Sequence, residues 1–383
     1  MPAAVSGTAC SRARLSPRLR YRATTVRKWS LALVLLGSST TLLAAGRWKI
    51  QYLYDQAGSN FNIRDIACPT SQRCVAAGVI TDKRERQQGA VVVTSDGGRH
   101  WSQFDVKEQP LSLFFLDETL GWMVTDHGLW STVEGGRSWN KVDNRKGILQ
   151  ACFLDANHGY IAGSAGLFSE TLNGGKTWSQ RPEASSAATD ARSVNYDSMT
   201  FLGPHGIIVG EIDPSAPIPK SAEPQGQHVV VLETLDGGKK WTTGSIHLEA
   251  GVGRLRISKL GFALTLVVYT DTHFQLASAV FQTILGKPKT HMIFGERDRT
   301  VTDVAVLDDG GALVVAVEPP GNSPQVPIPG RLKILESRNL RVWEEMDVDY
   351  RAVAQEAVVA VADAHHMWVA TDTGAILGLV ESD

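Results

Sequence analysis

The chain has 383 residues, 43% of them hydrophobic, and a formal net charge of −2. That length and apolar content suffice for a large core, and the near-balance of charge excludes a chain-wide bias toward nucleic acid.

Basic residues are concentrated at the start, where Arg12, Arg14, Arg18, Arg20, Arg22, Arg27 and Lys28 precede an apolar run over 29–45. A basic segment followed by an apolar one is the arrangement of an export signal. The run is about as long as the shortest membrane-spanning helices, roughly 17 to 25 residues, and cleavage and retention as an anchor both remain open. Leu43 would stand where a signal peptidase prefers a small residue if the chain were cut after Ala45. In either case the expected division is 1–45 as signal or anchor and 46–383 as the exported domain, on the periplasmic or lumenal side of a membrane. The positive-inside rule keeps the basic end cytoplasmic, and the lack of a Cys directly after the apolar run argues against a lipoprotein anchor.

From there the chain repeats itself. The first unit, 63–101, begins with two apolar strands flanking Cys68-Pro-Thr-Ser-Gln-Arg-Cys74. Those cysteines are expected either to bridge across a hairpin in an oxidising compartment or to remain two free thiols. The units at 111–139 and 148–178 each read as four short strands. In the second of these, an apolar strand runs to Leu154, a turn follows at Asp155-Ala-Asn-His-Gly159, and strands at 160–163 and 166–171 precede a fourth at Trp178. Cys152 lies in its first strand and reads as a packing residue rather than a nucleophile. A fourth unit spans 196–241. The pattern then fades: strands are expected at 260–269 and 277–283, and a sixth unit ends at Trp343 with Arg338 and Asn339 where an acidic residue and Gly would stand. The last unit, from Ala357, stops after its third strand at 374–380. Its missing fourth strand is supplied by Gly46-Arg-Trp-Lys-Ile-Gln51, which matches Gly175-Lys-Thr-Trp-Ser-Gln180. Four short strands per unit of about 40 residues is the period of a propeller blade. The expected fold is all-β: a seven-bladed β-propeller whose N-terminal strand completes the last blade and removes its exposed edge.

A turn motif sets this period. It reads Thr-Ser-Asp96-Gly-Gly98-Arg-His-Trp101, then Thr-Val-Glu134-Gly-Gly136-Arg-Ser-Trp139, then Thr-Leu-Asn173-Gly-Gly175-Lys-Thr-Trp178, then Thr-Leu-Asp236-Gly-Gly238-Lys-Lys-Trp241. The acid or amide can accept from the N–H groups of its own turn, and glycine supplies the positive φ of a tight hairpin. The four copies resemble the Asp-box, or bacterial neuraminidase repeat. Together with the second strands, they resemble the photosystem II stability and assembly factor family and its bacterial relatives. The likeness covers most of 46–241 and thins beyond it. It implies an exported seven-bladed propeller without catalysis or cofactor, acting through an arginine-rich surface on a protein partner that belongs to a membrane complex.

Strand order sorts the loops by face. First-to-second and third-to-fourth turns share one end of the disc, and the long insertions at 81–89, 211–227, 270–275 and 318–330, with the link at 181–195, share the other. Loops on a rigid scaffold carry function, so the second end is the expected binding face. Arg64, Arg192, Arg254, Arg256, Arg299 and Arg351, with Arg145 and Lys146, stand at or near the starts of innermost strands, and Arg84 and Arg86 lie in the first insertion. Such arginines suit carboxylates and acidic protein segments; the plainer alternative is solvated strand ends.

The Asp-box carboxylates are expected to be turn caps, and His365-His366 an ordinary exposed turn rather than a metal site. The competing function is an exported sialidase-like glycoside hydrolase or a carbohydrate-binding propeller. Against catalysis, the Arg-Ile-Pro motif of sialidases is missing between Gly46 and Asp96, and Tyr160 falls in a strand that matches those of other blades. The protein is expected to act as a monomer, with no metal, cofactor or nucleic acid.

Overall fold

A computed structural model describes residues 10–11, 46–183, 194–212, 229–243, 252–268, 278–287, 290–296, 300–318, 330–349 and 351–380. Seven antiparallel sheets follow one another around an axis. The first blade comprises Asn60–Ala67, Cys74–Thr81, Gln87–Thr94 and Ser102–Val106. The second and third start at Pro110–Phe115 and Ile148–Phe153, and the fourth at Val194–Leu202. Sequence likeness fades after Trp241, yet two full blades follow, starting at Val252–Ser258 and Thr300–Val306.

The seventh blade closes the ring. Ala357–Val361, Met367–Thr371 and Ala375–Val380 are completed by Arg47–Leu53, antiparallel to the last of them. On its other side Arg47 and Trp48 pair with Asp347 and Val348 of the sixth blade, and Arg47 forms an ion pair with Asp347 at 3.0 Å. Cys10–Ser11 pairs in parallel with Phe201 and Leu202.

The core lies between adjacent blades rather than inside any one sheet. Second strands such as Cys74–Thr81 and Ala312–Val317 are therefore covered on both faces and read as near-continuous apolar runs, while outer strands alternate or are exposed. Trp122 stacks on Phe153 of the next blade with centroids 3.6 Å apart, and Tyr160 stacks on Phe201 of the blade after that.

The Asp-box turns have the construction their sequence implies. The hydroxyls of Thr94, Thr171 and Thr234 each donate to the acid or amide two residues on, and each accepts from the second glycine N–H at 2.9 Å. Asp96, Asn173 and Asp236 then accept from the backbone of His100, Thr177 and Lys240. Glu134, one methylene longer, instead accepts from the Ser138 hydroxyl. These bonds hold the Asp96 carboxyl down at about 2, with the His100 backbone bond the largest cause. Trp139, Trp178 and Trp241 turn back edge-on to Phe115, Phe153 and Phe201 of their own blades.

The degenerate box in blade six requires a correction of one position. Asn339, not Arg338, takes the acid's place: it accepts from Arg341 and Val342 N–H, and Leu340 adopts the positive φ of 59° where a glycine would stand. An amide oxygen performs the same capping as a carboxylate, so the turn survives the loss of the motif.

Cys68 and Cys74 form a disulfide, and Cys152 is buried and disulfide-bonded as well, so the described residues include no free thiol. No helix among the described residues is long and apolar enough to cross a membrane; the apolar run at 29–45 lies outside them.

Candidate functional site

The innermost strands of all seven blades line a central cavity of about 150 Å³, with Asp65, Gln150, Ser198, Arg254, Arg256 and Lys259 among its polar walls. Each of the first six innermost strands is broken by a bulge near its start. A bulge re-aims side chains, and the residues that follow it, such as Asp65, Gln150, Ser198 and Arg254, line the cavity.

Two acids that follow bulges clip neighbouring blades together. Asp65 accepts from Leu113 N–H of the second blade at 2.7 Å, and Asp303 accepts in the same way from Val359 N–H of the seventh at 2.9 Å. Asp303, only 1% exposed, also faces Arg256 at 3.2 Å and Arg254 at 3.5 Å. Burial works against the Arg254 charge, but Asp303, Asp65 and Glu356 more than offset it and hold its pKa above the ordinary value. Burial raises the Asp65 carboxyl, opposed by Arg254, by the Leu113 bond and by Arg256. The channel thus holds a compensated charge cluster drawn from the first, fifth and sixth blades, with Glu356 at the start of the seventh, rather than a free ring of guanidinium groups.

The other arginines singled out in the sequence are dispersed. Arg64 sits on the bulge of the first blade and donates to the Pro110 carbonyl of the second. Arg84 and Arg86 project from the exposed hairpin after Thr81, with Arg86 paired to Asp82. Arg351 pairs with Asp349, and Arg145 pairs with Asp143 while lying 5.8 Å over the Trp178 ring. Arg192 and Arg299 lie outside the described residues, as do most of the insertions at 211–227, 270–275 and 318–330. The hairpin and the links that carry Arg84, Arg86, Arg145 and Arg351 belong to the end of the disc opposite the Asp-boxes. The box turns hydrogen-bond to first-to-second turns of their own blades, as from Gly97 N–H to the Gln72 carbonyl and from Gly174 N–H to that of Asn157.

One constellation escaped the sequence. Tyr160 donates to Glu170 at 2.9 Å, while Glu170 also receives His158 and Arg181. Arg181 continues to the carbonyls of Gly238 and Lys239 in the fourth blade. A tyrosine paired with a glutamate near an arginine has the composition of a sialidase nucleophile. Its setting is the wrong one. Tyr160 is 0% exposed, and burial followed by the Glu170 contact pushes its pKa up, so the phenolate is disfavoured where a nucleophile would need it. The cluster fastens the third blade to the Asp-box of the fourth.

His366 pairs with Asp363, which also accepts from the backbone of both histidines, making that segment the turn its sequence implied. No group of side chains suited to a metal ion occurs among the described residues.

Residues 140–215, from the outer strand of the second blade into the fourth, match the family model of Photosynthesis system II assembly factor YCF48. The chain is an Asp-box propeller resembling that family. The structure "YCF48 bound to D1 peptide" shares the fold with a TM-score of 0.58 and 14% identity, over 88% of this chain and 96% of the other. YCF48 from Cyanidioschyzon merolae does so with a TM-score of 0.56 and 15% identity, over 87% of this chain and 98% of its own. A search of curated protein sequences found no match.

Proposed function

We propose that the chain is an exported, non-catalytic interaction scaffold of the assembly-factor kind. In this reading its loop-bearing end holds a segment of a protein partner over the mouth of the central channel. The carrying observation is the placement of arginines at that end: Arg84 and Arg86 on an exposed hairpin and Arg351 on a link between blades, above a channel lined by Arg254 and Arg256. Guanidinium groups on a rigid rim suit carboxylates of an extended acidic segment. A relative of the same fold is bound to a D1 peptide, which supports a peptide as the type of partner. Export is supported by the basic and apolar N-terminal sequence and by the disulfide of Cys68 and Cys74.

The test is a pull-down from membranes with wild type and with Arg84→Glu, Arg86→Glu and Arg351→Glu combined. Arg254 and Arg256 are left intact because they belong to the buried cluster. Loss of the wild-type partner from the variant is the expected result; equal recovery rejects the arginine rim. Hydrolysis of a sialoside by the purified protein would overturn the non-catalytic assignment.

A further inference from the structure

The end of the disc that carries the Asp-boxes has its own chemistry. Eight large hydrophobic residues are exposed among the described residues, and six of them, Val133, Leu172, Leu235, Leu260, Ile284 and Val342, stand on the turns of this one end. Scattered exposed aliphatics need no explanation, but concentration on one end does. Val133, Leu172 and Leu235 occupy the residue between the box Thr and its acid, where they are 68%, 70% and 69% exposed. The turn itself makes no demand there, since Ser95 fills the same place in the first blade.

Each of those turns also carries an exposed basic side chain: Arg137, Lys176, Lys239, Lys259, Lys287 and Arg341. Glu118 and Glu134 are exposed at this end, with Glu134 accepting from the Ser138 hydroxyl, but the aspartates nearby are engaged within their own turns or by a partner. Asp96 and Asp236 cap the backbone of their own turns, and closer to the axis Asp117, Asp155 and Asp363 do the same. Asp308 is paired with Lys259. The outer corona therefore presents lone aliphatic tips among ammonium and guanidinium groups, with Glu134 as an exposed acid beside Val133.

Chain direction supplies a second, independent observation. In every blade the outer strand starts at the Asp-box end, and Arg47 begins the outer strand of the seventh. The apolar run at 29–45 is separated from it by Gly46 alone. A segment drawn to the membrane would deliver the propeller with this end against the bilayer.

We infer that the Asp-box end docks on an anionic bilayer surface. The aliphatic tips enter the headgroup boundary, the Lys and Arg meet lipid phosphates, and the loop-bearing end is directed away. Each basic group close to such a surface contributes roughly fivefold to partitioning, and insertion of the aliphatics multiplies this. The inference rests on the export reading for the presence of a membrane, but not on the identity of any protein partner.

The full-length protein is tested with a polarity-sensitive thiol label at Leu172→Cys, Leu235→Cys or, at the opposite end, Leu53→Cys. Vesicles of phosphatidylcholine with phosphatidylglycerol are compared with phosphatidylcholine alone, both carrying nitroxide lipid. Labels at 172 and 235 should shift to the blue and be quenched in the anionic vesicles, less so in the neutral ones, and the label at 53 should stay solvent-like throughout. Adding Lys176→Glu, Lys239→Glu and Lys240→Glu should cut quenching at 235 by tenfold or more. Labels at 172 and 235 that remain solvent-like, equal quenching at 53, or quenching unaffected by the charge reversals would each overturn the inference. A surface that serves a protein instead would give the first of these outcomes. All the altered sites are exposed, and thermal unfolding of each variant checks that the fold is retained. The pull-down above reads the other end of the disc, so either proposal can fail without the other.

Discussion

Replacing each glycine of the fourth Asp-box by alanine separates the two demands that the box makes on its backbone. Gly237 has φ of 76°, and a Cβ built on it would meet nothing within 4 Å; Gly238 has φ of 89°, and its Cβ would lie 1.8 Å from the Tyr160 hydroxyl. Gly237→Ala therefore costs only left-handed strain, about 1–2 kcal/mol. Gly238→Ala carries that strain and must also displace a tyrosine that is wholly buried and fixed by Glu170, His158 and the Gly237 carbonyl. Overpacking of that kind adds about 1–3 kcal/mol. With a urea dependence of about 3 kcal/mol/M, Gly237→Ala should lower the unfolding midpoint by about 0.5 M and Gly238→Ala by roughly twice as much or more. Equal shifts for the two variants would refute the reasoning, because they would mean that the second glycine is required by its turn alone and not by the neighbouring blade.

Two further outcomes follow from buried charge. Asp303→Ala removes the acceptor of Val304 and Val359 N–H and the partner of Arg254 and Arg256, and should destabilise by about 3–5 kcal/mol in urea unfolding. Asp197, on the bulge of the fourth blade, is pushed up to about 7, first by burial and then by Glu211, and its Oδ1 has no hydrogen-bond partner. A carboxyl whose folded pKa lies above its unfolded value binds its proton more tightly when folded. Stability should thus fall as pH rises from about 4 to about 7, by at most about 4 kcal/mol, and level off above. Asp197→Asn should flatten that slope and stabilise the protein at pH 8 relative to wild type while changing little near pH 4; a parallel pH profile for the variant would rule the assignment out.

The architecture was legible in the chain because a propeller is built by repetition. Thr, Asp, two glycines and Trp recur because each blade needs the same hairpin, so spacing alone gave the number of blades and the closure by Arg47–Leu53. Blades five and six were harder to see. Blade six keeps its turn with Asn339 and Leu340, which satisfy the backbone without the motif letters. The arginines show the opposite limit. Their positions at strand starts could be read, but not whether a carboxylate would meet them, since Asp303 and Arg254 come from different blades and neither implies the other in sequence.

The same division holds for Tyr160, Glu170 and Arg181. Their types suggested nothing, and their meaning as a seam between blades depends on Gly238, which is 57 residues beyond Arg181. Sequence by itself determined the local terms: the period, the turn chemistry, the apolar strands and the basic, apolar N-terminus. Tertiary structure alone decided which charges are neutralised in the channel, that the tyrosine is sealed, and that the exposed aliphatics share one end of the disc. Hydrogen bonding within a turn is set by neighbours in the chain, whereas burial and ion pairing are set by neighbours in space.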